Sequence, residues 1–286
     1  MNGPIQTVAV VGSGAMGRGI AESCVRSGLA VVLHDTNSGA LTTASETVAA
    51  SLQKSVSRGQ LSSVDAAAAL ERLSPAVELA RIRDAELVIE AVPERLQLKL
   101  DVLRSIEETV GLEAIIASNT SSIPITKLST SLTSPARFLG LHFFNPVPKM
   151  ALVEIIATVT TDDDTRDTVE HLVRDQLGKT PILLMDRPGF VVNALLIPFL
   201  LSAARMLDSG YASAQTIDDG MTLGCGHPMG PLRLSDLVGL DVVCAVADSI
   251  YDETKDPAMI VPNTLRRLLE AGHLGRKSGR GFYSYS

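Results

Sequence analysis

Residues 8–11 form an unbroken β-branched and apolar run that leads directly into Gly12-Ser13-Gly14-Ala15-Met16-Gly17. No other stretch restricts the architecture so strongly. A continuous apolar strand is one covered on both faces, the situation in a parallel sheet with crossover helices. In a G-x-G-x-x-G turn the first glycine makes the tight bend and the second lets backbone approach a pyrophosphate. The third lets the following helix pack closely. That helix, expected over about 16–26, points its N-terminal amides and the positive end of its dipole at the phosphates. A second strand over 30–33 ends beside Asp35, an acid placed to accept hydrogen bonds from the adenosine ribose hydroxyls. Its charge would repel a 2′-phosphate, and no arginine follows in Thr36-Asn37-Ser38, so NAD is favoured over NADP. A turn-capping aspartate is the plainer alternative.

Two further buried strands are expected at 86–92 (E-L-V-I-E-A-V) and 114–117 (A-I-I-A). Between them, Leu96, Leu100, Leu103 and Ile106 recur at a helical period over 94–110. Strand–helix–strand alternation means a parallel sheet, with the cofactor at the carboxyl ends of its strands. The S-N-T-S-S segment at 118–122 falls there too. Residues 37–73 are longer than an ordinary crossover and read as two helices, broken near Gly59 and restarted by the capping residues Ser62 and Ser63. In the first, Leu41, Ala44, Val48, Leu52 and Val56 make an apolar stripe. Thr47, Ser51, Lys54 and Arg58 share another face. A solvated face is the ordinary reading of such a set; a basic patch for phosphate groups on a substrate is the sharper one.

The run L-G-L-H-F-F-N-P-V-P-K-M-A-L-V-E-I-I at 139–156 carries the chemistry. It places His142 in one apolar run and Glu154 in the next. Pro146 and Pro148 force an irregular connection, so the two runs can be neighbouring strands. An imidazole paired with a buried carboxylate is a ready general base, because the carboxylate fixes the tautomer and stabilises the imidazolium. Taken alone, His142 would be a core histidine and Glu154 a structural acceptor.

With 286 residues, 45% hydrophobic and 20% charged, the chain has material for two domains and is not disordered. The net charge of −7 speaks against nucleic acid or an anionic membrane as partner. The first residues show no basic segment followed by an apolar one, and Cys24, Cys225 and Cys244 form no C-x-x-C. A reducing cytoplasm is the expected location. His34, His171, His227 and His273 share no metal-ligand spacing, so no metal is expected. The apolar run 190–204 contains Asn193 and Pro198 and is short for a membrane span, which makes it a buried helix. After a last strand at 180–184, Asp186-Arg187-Pro188-Gly189 breaks the chain, and helices follow at 191–209, 214–223, 232–251 and 263–271. Domains are therefore expected at 1–185 and 186–286. Residues 195–201 and 242–247 are apolar over most of a helix circumference, more than a small helical domain should bury, which points to a subunit interface.

Carrying L-H-F-F-N-P-V-P, S-N-T-S-S, P-G-F-V-V-N, H-P-M-G-P and K-S-G-R-G-F-Y, the chain resembles the L-3-hydroxyacyl-CoA dehydrogenases, with the bacterial 3-hydroxybutyryl-CoA branch nearest in pattern. The resemblance runs from Val8 to Tyr283. It implies an α/β fold: a Rossmann-like, mostly parallel sheet with an inserted helical pair, followed by an all-helical C-terminal domain. It also implies reversible, NAD-linked oxidation of an (S)-3-hydroxyacyl thioester by a homodimer joined through the C-terminal domain. By matching position, His142 is the base, Glu154 its orienting partner, and Ser121 and Asn193 hold the substrate. The NAD positions are Gly12, Gly14, Ala15, Met16, Gly17, Asp35, Glu94, Lys99, Ser121, Asn145 and Lys277. The matching CoA positions are Ser51 and Arg58, with Ser121; Lys54, on the same face, is a candidate to which the resemblance assigns no role. Arg58 stands where relatives often carry lysine, which keeps the positive charge. Rival readings are the same chemistry on a carrier-bound or free hydroxy acid, and a crystallin-like NAD-binding protein without turnover. A hydroxyisobutyrate-type enzyme would use a catalytic lysine, which the His142–Glu154 pair disfavours.

Overall fold

The computed structural model describes residues 3–285 and divides into two compact units, one ending at Asp186 and the other starting at Arg187. In the first unit, β1 (Thr7–Val11) leads through the glycine turn to α1 (Ala15–Arg26) and β2 (Ala30–His34). The helical pair follows as α2 (Ser38–Ser57) and α3 (Ser63–Glu71), then β3 (Leu73–Ala76) and β4 (Leu87–Glu90). Next come α4 (Leu96–Thr109), β5 (Ile115–Ser118), α5 (Ile125–Ser129), β6 (Phe138–Phe143), β7 (Leu152–Ala157), α6 (Asp163–His171) and β8 (Thr180–Met185).

The eight strands form one sheet in the order β3-β2-β1-β4-β5-β6-β7-β8, parallel except where β6 meets β7. β1 is paired on both sides and buried from Val8 to Val11, which is why it reads as a continuous apolar run. Strand order reverses between β1 and β4, the switch point at which open α/β sheets bind their ligands. The helical pair is broken where expected: Ser62 caps α3, its hydroxyl accepting from the Asp65 N–H.

The strand β3 is not foreseen from the sequence. It contains Ser74 and Pro75, poor strand formers, and Pro75 is tolerated because β3 lies at the edge of the sheet.

The glycine turn has little steric slack. Gly12 sits at φ +105, and a Cβ on Gly17 would lie 1.7 Å from the Gly12 carbonyl oxygen, so helix and turn pack backbone to backbone. Gly17→Ala must push α1 away from the turn. It is expected to destabilise the protein by about 1–3 kcal/mol and to weaken NADH binding. Thermal melting without cofactor and an NADH fluorescence titration check this; unchanged values in both would contradict it.

The second unit is helical: α7 (Val192–Asp208), α8 (Ala214–Cys225), α9 (Pro231–Val238), α10 (Leu240–Thr254) and α11 (Asn263–Glu270). The single helix expected over 232–251 is two. Gly239, at φ +106, cannot belong to a right-handed helix and separates α9 from α10. The apolar runs of α7 and α10 are divided between the inside of the unit and its surface. Ile197, Leu200, Leu201, Val243, Cys244, Val246 and Ala247 join one core inside the unit, while Leu195 and Val242 remain exposed. Asp218 and Asp236, both buried, fasten the C-terminal segment: Asp218 accepts from the Tyr283 hydroxyl, and Asp236 from the Phe282 and Tyr283 N–H groups and the Tyr285 hydroxyl.

Candidate active site

His142 and Glu154 stand directly opposite each other in the antiparallel β6–β7 ladder. Opposed residues share a face, so the pairing brings the two side chains together while Leu141 and Ile155 turn to the other side. His142 Nδ1 lies 2.7 Å from Glu154 Oε2, and Nε2 lies 3.0 Å from Ser121 Oγ. Glu154 is fully buried and His142 is 4% exposed. An ionised carboxylate only accepts, so the imidazole proton belongs on Nδ1 and the lone pair on Nε2, toward which the Ser121 hydroxyl donates. The result is an imidazole of fixed tautomer whose Nε2 is already engaged with a hydroxyl. Phe144 leans on the imidazole with ring centroids 4.5 Å apart.

Ser121 is held by the turn that follows β5. Glu94 Oε1 accepts from the N–H groups of Ser121 (3.0 Å) and Ser122 (3.1 Å), the Ser122 hydroxyl (3.0 Å) and the Thr120 hydroxyl. One carboxylate oxygen therefore shapes the S-N-T-S-S turn. Beneath it, the Lys99 ammonium is fully buried and reaches Glu90 at 2.8 and 3.0 Å, Glu94 Oε2 at 3.4 Å and the Asn119 carbonyl at 3.4 Å. Glu90 is fully buried too and also accepts from the Ser118 hydroxyl and the Val92 N–H. Asn119 Oδ1 accepts from Phe143 N–H, which ties the turn to the end of the strand carrying His142. Burial pushes the Glu94 carboxyl up, but the Lys99 ammonium and the Thr120, Ser121 and Ser122 donors outweigh it and hold it below the usual carboxylate value. At Glu90 burial prevails over Lys99, and its carboxyl is raised.

Glu90 and Asn119 were not singled out from the sequence. The available signal was the second glutamate of E-L-V-I-E-A-V: a charge inside a strand covered on both faces requires a buried cation. Lys99, expected at the cofactor, is the cation that meets that need.

The nucleotide end fits a pyrophosphate and a ribose. Gly14 is exposed with nothing within 4 Å of where its Cβ would be, so backbone can be approached closely there. The start of α1 has no side-chain cap and no acidic residue in its first turn, leaving its amides and dipole for an anion. Asp35 Oδ2 accepts from the Ser13 N–H (2.9 Å) and hydroxyl (2.8 Å), and Oδ1 from the Asn37 N–H (3.0 Å). Burial raises the Asp35 carboxyl, yet these donors outweigh it and lower it below its usual value, so it stays charged. A carboxylate offers about four lone-pair positions, and one of Asp35 remains for a ribose hydroxyl. Asn145 is exposed in the β6–β7 connection, which Lys179 pins by donating to the Val147 and Met150 carbonyls at 2.7 Å each.

On the helical pair, Lys54 and Arg58 are exposed. The Ser51 hydroxyl donates to the buried Glu22 at 2.8 Å, and Arg26 reaches the same oxygen at 3.1 Å. Ser51 is thus turned into an acceptor toward any ligand. In the second unit, Asn193 lies in the first turn of α7, and Lys277 Nζ binds both oxygens of Asp241 at 2.5 and 2.7 Å. Among the described residues no cluster of His, Cys, Asp or Glu could hold a metal, and no helix is long and apolar enough to cross a membrane. His34 bonds the Ala76 carbonyl and His227 packs on Phe199, both structural settings.

Comparison with known proteins agrees with this geometry. Residues 7–187 match the 3-hydroxyacyl-CoA dehydrogenase NAD binding domain, and 189–285 match the 3-hydroxyacyl-CoA dehydrogenase C-terminal domain. A 3-hydroxybutyryl-CoA dehydrogenase of Mycobacterium tuberculosis is 44% identical over 286 residues, the full length of both chains. The crystal structure of M. tuberculosis FadB2 superposes with a TM-score of 0.97 at 44% identity, covering 99% of this chain and 100% of that one. The (S)-3-hydroxybutyryl-CoA dehydrogenase PaaH1 of Ralstonia eutropha superposes with a TM-score of 0.95 at 46% identity, covering 99% of each. The matched NAD binding domain makes NAD the cofactor, in accord with the open turn at Gly14 and the charged Asp35. The chain belongs to the 3-hydroxyacyl-CoA dehydrogenase family.

Proposed function

We propose that this NAD-dependent oxidoreductase oxidises (S)-3-hydroxyacyl-CoA, with 3-hydroxybutyryl-CoA as substrate, to the 3-ketoacyl-CoA, reversibly. The observation that carries the reading is the continuous Glu154–His142–Ser121 arrangement, 2.7 and 3.0 Å between heavy atoms. His142 Nε2 takes the proton of the 3-hydroxyl as the C3–O bond becomes a carbonyl. Glu154 stabilises the imidazolium that forms, an interaction stronger in the transition state than before it. Ser121 hydrogen-bonds the substrate oxygen. The chemistry that NAD would supply when bound is that of an acceptor for the hydride leaving C3.

Gly12, Gly14, Ala15, Met16 and Gly17 cradle the pyrophosphate, and Asp35 receives the adenosine ribose. Glu94, Ser121 and Asn145 line the remainder of the cofactor site, with Lys99 acting through Glu94 because its ammonium is enclosed. The CoA phosphates are received by Lys54 and Arg58, and Ser51 accepts a hydrogen bond from the ligand. Two copies pair through the C-terminal unit, whose exposed Leu195, Met206 and Val242 are suited to an interface.

NADH consumption with acetoacetyl-CoA, run beside free acetoacetate and an acetoacetyl carrier protein, tests the substrate. Turnover with the CoA thioester alone is expected. Turnover with only the free acid or the carrier protein would overturn the CoA assignment while leaving the base in place.

A further inference from the structure

The three charges beneath the S-N-T-S-S turn, two of them buried, do not balance. Glu90 and Lys99 are fully enclosed and joined by two hydrogen bonds, while Glu94 adds a second carboxylate whose side chain is 37% exposed. Among the described residues Lys99 is the ammonium that meets both acids, so with both carboxylates ionised the cluster carries one net negative charge, and Glu94 is its exposed member. Glu154 is a further buried carboxylate nearby, but it is committed to the Nδ1 side of His142.

Hydride transfer requires the acceptor carbon within about 3–3.5 Å of the carbon that is oxidised. That carbon carries the hydroxyl served by His142 and Ser121, and Glu94 Oε1 holds the Ser121 N–H at 3.0 Å. A nicotinamide ring placed against that carbon then lies next to the turn that Glu94 shapes. Oxidised nicotinamide bears a positive charge and the reduced ring none. We propose that the Glu90–Lys99–Glu94 cluster is a selectivity device that favours the oxidised over the reduced cofactor. This rests on the assignment of His142 and Ser121 to the reacting hydroxyl. The lowered carboxyl of Glu94 keeps the outward charge in place at neutral pH.

The fold provides a clean way to remove that charge. In Glu94→Gln the amide oxygen still accepts from Thr120, Ser121 and Ser122, and Lys99 keeps both of its bonds to Glu90. Unit charges a few ångströms apart at a partly buried site interact strongly enough to change affinity by about tenfold. Calorimetric titration of wild type and Glu94→Gln with NAD⁺ and, separately, NADH reads the effect. The expected result is NAD⁺ bound about tenfold more weakly with NADH nearly unchanged. Glu94→Asp, which retains the charge, should keep the wild-type ratio of the two affinities even if both fall. Equal losses for both forms in Glu94→Gln would overturn the charge argument, because Glu94 would then only shape the turn. No change in either affinity would overturn the placement of the ring beside Glu94, whereas the assignment of His142 to the reacting hydroxyl stands or falls separately on the turnover of a His142 variant.

Discussion

Replacing His142 by asparagine is expected to lower kcat/KM by about 10²–10⁴-fold, the usual contribution of a positioned general base, while NADH still binds. Asparagine is the informative substitution because its side-chain amide can place a donor near the position of Nδ1, toward Glu154 Oε2. Alanine would remove that donor from a fully buried carboxylate and mix a folding defect with the catalytic one. Nothing in asparagine replaces the Nε2 lone pair now 3.0 Å from Ser121, so proton removal falls to solvent. Steady-state kinetics with acetoacetyl-CoA, beside an NADH titration, separate the two effects. A variant turning over within tenfold of wild type would show that His142 is not the base. Glu154→Gln should lose less, since it leaves an oxygen to orient Nδ1–H but no charge to stabilise the imidazolium.

The second large effect concerns stability rather than turnover. Lys99→Met removes the ammonium lying between Glu90 and Glu94 and leaves a side chain of similar length. Breaking a buried ion pair from one side typically costs about 3–5 kcal/mol, because the partner charge stays enclosed. The pH dependence has a definite sign. Burial already raises the Glu90 carboxyl, and loss of Lys99 raises it further. A carboxyl whose folded pKa exceeds its unfolded value binds more protons folded than unfolded, so its penalty grows as pH rises above the unfolded value of about 4.3. The deficit relative to wild type should be largest at neutral pH and narrow as pH falls toward about 5. Glu90→Gln added to Lys99→Met should recover much of the loss by removing the stranded charge. Denaturant melts of the three proteins at two pH values measure this. A Lys99→Met protein within about 1 kcal/mol of wild type at neutral pH would mean the Glu90–Lys99 pair is hydrated, contrary to its full burial.

Much of this architecture could be read without coordinates, and the reason is local. A strand such as β1, covered on both faces, announces itself by an uninterrupted apolar run. The turn after it needs glycine at positions set by backbone geometry, so G-S-G-A-M-G is visible as letters. Ser62 restarts a helix through its own hydroxyl and an N–H three residues on. The elements that escaped notice depend on distant context. The strand β3 exists because β2 offers it an edge, not because Leu73-Ser74-Pro75-Ala76 favours extension. The break between α9 and α10 turns on the positive φ of Gly239, where a Cβ would approach the Asp241 carboxylate and the Lys277 ammonium that bind each other.

The candidate site divides in the same way. By itself the sequence determined that His142 and Glu154 lie in consecutive apolar runs, that Asp35 ends the second strand, and that the ordered motifs match one family. These depend on residue type and short spacing alone. Only the tertiary structure decided that β6 and β7 pair in the register that sets His142 opposite Glu154, since a slip of one residue would turn one side chain to the other face. Only the tertiary structure, likewise, joined Glu90, Lys99 and Glu94 from three segments beneath the turn that presents Ser121. A buried charge chooses its partners by proximity in space, and the sequence records the charge but not the distance.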